Sequence, residues 1–369
     1  MMTRTCMAAL GLLIASGSSV QAKQPVPTEL ENEYKAECAV LNKQRVPGTG
    51  ETIVGKDSWL VLGTELEYIT FGRFWGPDAR RANPNVPPDA ADPLVAILDF
   101  NEQLKKRGIE LIFMPVPTRP LVFPESVLGK EKLPNGTPPR LDTPELEFYE
   151  LLRSKGIKVL DLMPVYLKER SGEHGTVFVP SESHWTGYGV AVAAREAAKE
   201  IRSEQWAKKV PKHEFVAKWT SLEVDGHILK SAQEHGAGQA LKPDTVWVRV
   251  IKEKTAKGEE SMAQSQPESP VVIMGDSNTF WWSREGGGLP EELAYELGYP
   301  VDLIFTPWGG ATNARLNLMR RVHSDPTYLD KKKVVLWSFT SRGFVHTNDG
   351  WVVLPLNGVP PDTPGDKQK

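Results

Sequence analysis

"VVIMGDSNTFWW", residues 271–282, is the stretch on which the reading of the whole chain turns. Val271 to Met274 form a short apolar run, Gly275-Asp276-Ser277 breaks it, and polar and aromatic residues follow at once. An apolar strand ending in a glycine-hinged turn places the Ser277 hydroxyl at the edge of a sheet. It also aims the backbone N–H groups that follow at a developing oxyanion. The tripeptide alone carries little weight, since residues this common meet by chance in roughly one chain of this length in ten. Its position at the end of a strand is what makes Ser277 a candidate nucleophile.

Outward from this point, short apolar runs bounded by turn residues recur at 109–116, 157–162, 176–180, 301–305 and 333–339. Each reads as a strand. Between them, residues 92–108, 187–204 and 289–298 carry apolar residues near a 3.6-residue period and read as helices. Strands alternating with helices predict an α/β fold with a mostly parallel central sheet covered on both faces, and ligands at the carboxyl ends of its strands. Residues 252–270 are charged and aperiodic and read as a long surface loop, and residues 23–50 as a polar lead-in with at most one short helix. The expected main domain spans 51–360, with a polar tail at 361–369.

Composition narrows the class. The chain has 369 residues, 40% hydrophobic and 25% charged, with a net charge of −3. That is the balance of a globular protein with a sizeable core. Lys and Arg are scattered, so the basic footprint of a nucleic-acid binder is missing. Residues 1–22 combine Arg4, an apolar run from Cys6 to Ile14 and Val20-Gln21-Ala22, the pattern of a signal peptide cleaved before Lys23. Export is expected, with a retained membrane anchor as the alternative. Cys38 is then the only cysteine of the mature chain and reads as a small buried hydrophobe, with pairing between chains as the alternative.

A serine nucleophile needs a base. His184 lies in "VFVPSESHWTGYG", between a short apolar run and a helix, with Glu182 two residues before it. In an extended segment such neighbours project to one face, so Glu182 could hold one ring nitrogen and leave the other for Ser277. Alternatively, Glu182 or Ser183 caps the helix and His184 is a half-buried polar residue. The other histidines lack a second ligand at metal spacing, so neither a metal nor a cofactor is expected. "REGGGLP" lacks the lysine and context of a phosphate loop and reads as a flexible turn. Several of the eleven Trp, including Trp75, Trp281, Trp282, Trp308 and Trp337, either stack against sugar rings or belong to the core.

"GKDSWLVL", "MPVPTRPLVFPE", "SESHWTGYG", "GDSNTF", "LPEELAYELGYPV", "GGATNARLNL" and "LWSFTSR", in this order over roughly 51–345, resemble the alginate O-acetyltransferase family of the AlgJ and AlgX type. The resemblance implies a three-layer SGNH-hydrolase-like fold, periplasmic location and a serine acyltransferase acting on hydroxyls of an exopolysaccharide. It assigns Ser277 as nucleophile, His184 as base and Glu182 as the acid, where the family usually has Asp. The Ser277 N–H, with Gly309 or Gly310, is the expected oxyanion hole, and Asn313, Arg315 and Arg342 are side-chain candidates there or for substrate. Arg315 has the alternative of a solvated helix face. Where the family often has Trp-Glu, this chain has Trp337-Ser338. The partners implied are a polysaccharide acceptor and a membrane protein that supplies acetyl groups. A carbohydrate acetylesterase and a non-catalytic polysaccharide-binding protein are the alternatives.

Overall fold

In the computed structural model, residues 28–46, 51–306, 311–345, 347 and 349–358 are described. Five strands form the main sheet: β1 (Glu110–Val116), β2 (Lys158–Val159), β3 (Val271–Gly275), β4 (Asp302–Phe305) and β5 (Val334–Thr340). Their order is β4-β3-β5-β1-β2, and every pair is parallel. β3 and β5 are buried along their whole length because both faces are covered. Alternate residues point to opposite sides. Val271, Ile273, Ile112, Val334 and Leu336 join one core, and Val272, Met274, Phe113, Val335 and Trp337 the other.

Seven of the longer helices contribute to these two layers and one packs in a smaller separate cluster. They are α1 (Glu29–Leu41), α2 (Gly63–Phe71), α3 (Pro93–Lys105), α4 (Thr143–Ser154), α5 (Gly187–Ser203), α6 (His227–Glu234), α7 (Leu289–Leu297) and α8 (Ala311–Ser324). α5 and α7 cover the first face through Val190, Ala194, Ala197, Leu293 and Leu297. α3, α4 and α8 cover the second through Ile97, Phe100, Phe148, Leu152 and Leu318. The result is the three-layer α/β/α arrangement that alternating strand and helix patterns demand. Within the lead-in, α1 buries Tyr34 and Cys38 completely in the first core. Burial pushes the Cys38 thiol up to about 12, which leaves it protonated and inert.

Three expectations are corrected. Residues 176–180 are not a strand of the sheet. Val177, Phe178 and Val179 are buried, but their backbone closes on its own loop, with Val179 N–H donating to His184 O at 3.2 Å and Thr186 N–H to Val177 O at 3.0 Å. The run at 157–162 is strand only at Lys158–Val159. Residues 252–270 are not one long loop, because Lys252–Lys254 pair with Glu260–Met262 as the outer part of a three-stranded antiparallel sheet. That sheet is built on Glu214–Val224 and Asp244–Lys254, paired from Glu214↔Lys254 to Val224↔Asp244. Its signal was present in "VWVRV" (246–250), where β-branched residues alternate as a half-buried strand requires.

Gly275 closes β3 at a point with no room for a side chain. A β-carbon there would lie 1.8 Å from Ser338 O and 2.5 Å from Thr279 Cγ2. Gly275→Ala must force β3 and β5 apart at their carboxyl ends. We expect it to lose at least about 1–3 kcal/mol, the usual cost of overpacking, measured by urea denaturation, and to show reduced labelling of Ser277 by a serine-directed sulfonyl fluoride.

Candidate active site

β3 and β1 are followed in sequence by neighbours on opposite sides of the sheet, so the strand order reverses between them and a crevice opens at the carboxyl ends. Ser277 stands there, as the first residue of a single 3-10 turn, Ser277–Thr279. Asp276 makes the turn. Its Oδ1 accepts from Asn278 N–H at 3.0 Å, and its Oδ2 accepts from Thr340 N–H at 2.8 Å and Thr340 Oγ1 at 3.1 Å. One carboxylate therefore ties the ends of β3 and β5 and aims the serine. Asn278 Nδ2 adds a bond to Thr340 Oγ1 at 2.6 Å. The Asp of the sequence triplet is thus a fixture of the turn, a role the sequence reading did not assign.

The partner side chains come from the loop between Val177 and Thr186. Its exit is fixed by Thr186, which caps α5 by accepting from Gly189 N–H at 3.1 Å. Glu182 and Ser183 are consequently not the helix cap. The Glu182 carboxylate faces His184 instead, with Oε1 3.1 Å from Nδ1, and His184 Nε2 lies 2.9 Å from Ser277 Oγ. With Nδ1–H donating to the carboxylate, Nε2 carries a lone pair that can accept a proton from the serine hydroxyl. The loop and the turn are latched by two indoles: Trp185 Nε1 donates to Asn278 O and Trp282 Nε1 to Trp185 O, both at 2.9 Å. Trp281 stacks flat on the His184 ring, centroids 3.6 Å apart and planes within 4°.

Charge is arranged for base chemistry. Burial alone would raise the Glu182 carboxyl, but hydrogen bonds from His184 and His227 hold it well below the usual carboxylate range. Burial pushes His184 below its ordinary value, opposed by Glu182 and reinforced by the positive charge of Arg342. His184 is therefore neutral and able to accept a proton near pH 7.

The remaining sequence candidates separate. Arg342 follows β5 in the turn Ser341–Phe344, and its buried Nη1 has no hydrogen-bond partner among the described residues. In the Ser277–Thr279 turn the Asn278 and Thr279 N–H groups are taken by Asp276, which leaves the Ser277 N–H as the oxyanion candidate of the turn. Arg315 is neither solvated nor available as a substrate contact. It is fully buried, donating to Val352 O at 2.7 Å and Thr312 Oγ1 at 2.8 Å beside the Trp337 and Trp351 rings. Asn313 bonds Asp349 at 2.7 Å on the surface. Gly309, Gly310 and Trp308 lie outside the described residues, as do residues 1–27 and 359–369. Trp75, Trp282 and Trp337 are core, and among the described residues of that set half-buried Trp281 is the one not in the core, stacked on His184. Among the described residues no group of three or more His, Cys, Asp or Glu is placed to hold a metal, and no helix is long and apolar enough to cross a membrane.

A residue missed from sequence organises the base loop. Arg119 is 2% exposed. It pairs with buried Glu65 of α2 at 2.9 Å and turns its Nη1 to the carbonyls of Val179, at 3.2 Å, and Glu182. The clue was a charged residue inside the apolar "PVPTRPLVF", an environment that demands a partner.

A strand–turn serine facing a His and a carboxylate on an α/β/α frame defines the SGNH-hydrolase-like class. The family model described as SGNH hydrolase-like domain, acetyltransferase AlgX matches residues 52–341, and the chain belongs to that family. It is 23% identical over 342 residues to the probable alginate O-acetylase AlgJ of Pseudomonas putida, covering 91% of this chain and 80% of that one. With the AlgJ protein of Pseudomonas aeruginosa the identity is 24% over 172 residues, 46% of this chain and 38% of that protein's length. The solved O-acetyltransferase domain of Pseudomonas putida AlgJ superposes with a TM-score of 0.59 at 19% identity, over 80% of this chain and 92% of that domain.

Arg119→Met leaves Glu65 buried and unpaired and releases the base loop. Losing one partner of a buried pair costs about 3–5 kcal/mol, so we expect a loss of that size in urea titration. Arg119 holds the Glu65 carboxyl below its ordinary value despite burial. The pair therefore stabilises the wild type above the ordinary carboxyl range, and this is lost as pH falls through the depressed value. The variant should lack that acid-side loss.

Proposed function

We propose that this protein is an exported serine acyltransferase that moves acetyl groups onto hydroxyls of an alginate-type exopolysaccharide. The observation that carries the reading is the continuous line Ser277–His184–Glu182, at 2.9 Å and 3.1 Å, in a member of an acetyltransferase family. Ser277 Oγ attacks the acetyl carbonyl while its proton passes to His184 Nε2. The imidazolium so formed is stabilised by Glu182, and the oxyanion by the Ser277 N–H. The tetrahedral intermediate expels the donor's leaving group, which takes the proton from His184, and acetyl-serine remains. A sugar hydroxyl then gives its proton to His184 and attacks the acetyl-serine carbonyl. Collapse of the second tetrahedral intermediate breaks its bond to Ser277 Oγ, which takes the proton back from His184 as the new ester departs.

Whether sugar or water takes the acetyl group depends on how well the crevice excludes water. Trp281, flat on the His184 ring and half-buried, offers an apolar wall there onto which a sugar ring can stack. The Arg342 Nη1 group, buried and without an acceptor among the described residues, is suited to an oxygen of donor or acceptor. Residues 1–22 carry the export pattern, and a membrane protein supplies the acetyl donor. These assignments rest on sequence pattern and family resemblance.

Ser277→Ala and His184→Ala should each lower acetyl transfer by about 10⁴-fold or more and be non-additive together, with thermal unfolding unchanged. The assay is release of chromophore from an acetyl ester with and without oligouronate acceptors, with products identified by mass. Acetylated oligosaccharide supports the reading, free acetate alone replaces it with an esterase, and activity in Ser277→Ala removes the triad altogether.

A further inference from the structure

The site contains one more histidine than its chemistry uses. His227 is the first residue of α6, and its backbone N–H donates to Glu182 Oε2 at 2.8 Å while its ring Nδ1 lies 2.7 Å from the same oxygen. The other carboxylate oxygen, Oε1, accepts from Ser183 N–H at 2.6 Å and faces His184. The two histidines thus grip opposite oxygens of one fully buried carboxylate. They differ in exposure: the His184 side chain is 7% exposed and that of His227 65%.

The position of His227 is fixed by packing. Ile228, Leu229 and Ala232 of α6 are buried against Leu60 and Leu62. Gly226 allows the close approach, since a β-carbon there would meet Glu182 Oε2 at 2.8 Å. The length of the glutamate side chain matters here. The extra methylene, about 1.5 Å of reach, lets one carboxylate span both rings, and a shorter side chain anchored at the same backbone could keep only one.

We propose that His227 is a positioning residue for the acid–base pair: it clamps Glu182 Oε2 so that Oε1 is presented to His184, and gain of a proton on its exposed ring weakens His184 as a base. The inference rests on the triad reading above. The charged and titratable groups facing His227 are Glu182 and His184 from the base loop, Arg119 from the segment after β1 and Arg342 from the turn after β5. On its own element Lys230 is paired with Asp225 at 3.1 Å. Glu182 dominates, raising the pKa of His227, whereas burial lowers that of His184. As pH falls, His227 therefore takes its proton first. The cation then shares the carboxylate that must stabilise the His184 imidazolium, and the base is weakened before His184 itself is protonated.

The test uses the full chain, with acetyl-ester turnover followed from pH 5 to 9 in wild type, His227→Gln and His227→Ala. In wild type kcat/KM should rise with pH in two steps. His227→Gln retains an N–H donor without a titrating group, so the upper step should vanish while the plateau stays within about threefold. His227→Ala should lose about tenfold in kcat with KM little changed. Histidine NMR gives a readout independent of catalysis: in His227→Gln the His184 pKa should rise, because a neighbouring cation has been removed. Superposable pH profiles in wild type and His227→Gln, or an unmoved His184 titration, would overturn the proposal. Ser277→Ala remaining active would instead sink the triad, and the NMR titration would still decide whether His227 acts on His184.

Discussion

A loop with no regular structure carries the proposed base, and a buried guanidinium is among the contacts that hold it. Arg119 turns toward the carbonyls of Val179 and Glu182, and its charge is balanced by Glu65, which itself accepts from Leu62 N–H at 3.1 Å at the start of α2. A loop satisfies few of its own backbone groups, so buried carbonyls must find donors elsewhere. A guanidinium is suited to this because it presents several N–H groups in a rigid plane. That anchor helps to keep His184 within reach of Ser277, 93 residues further along the chain.

The serine side solves the same problem by a different means. Its turn leaves the sheet between two fully buried strands, and Asp276 binds it back to the neighbouring strand end. The proposed nucleophile is thereby tied to two fully buried strands of the central sheet. Trp185 and Trp282 then join the two halves through backbone carbonyls, which transmit position without adding charge. The proposed chemistry depends on this rigidity, because a hydrogen bond that must become a proton transfer tolerates little misplacement.

Electrostatics follows from the same burial. The Glu182 carboxylate is excluded from water yet remains charged because donors surround it, and His184 stays neutral because burial outweighs that negative neighbour. Two ionisable groups in contact are thus driven toward the states a general base requires. The exposed ring of His227 is the point at which this enclosed arrangement meets solvent.

The sequence by itself determined the layered α/β/α frame, because strand and helix periods are local properties of consecutive residues. It also marked Ser277 at a strand end, and Glu182 and His184 two residues apart, as a pattern with two readings. The alternation in residues 246–250 was legible as well, but charged flanks concealed the antiparallel sheet. What only the tertiary structure decided was that Glu182 faces His184 instead of capping α5, that Arg315 is a buried strut, and that Arg119 and Asp276 tie the loop and the turn in place. Each of these depends on contacts between segments far apart in the chain. The chemical type of a residue shows that it needs a partner, but only the packing of distant elements determines which partner it receives.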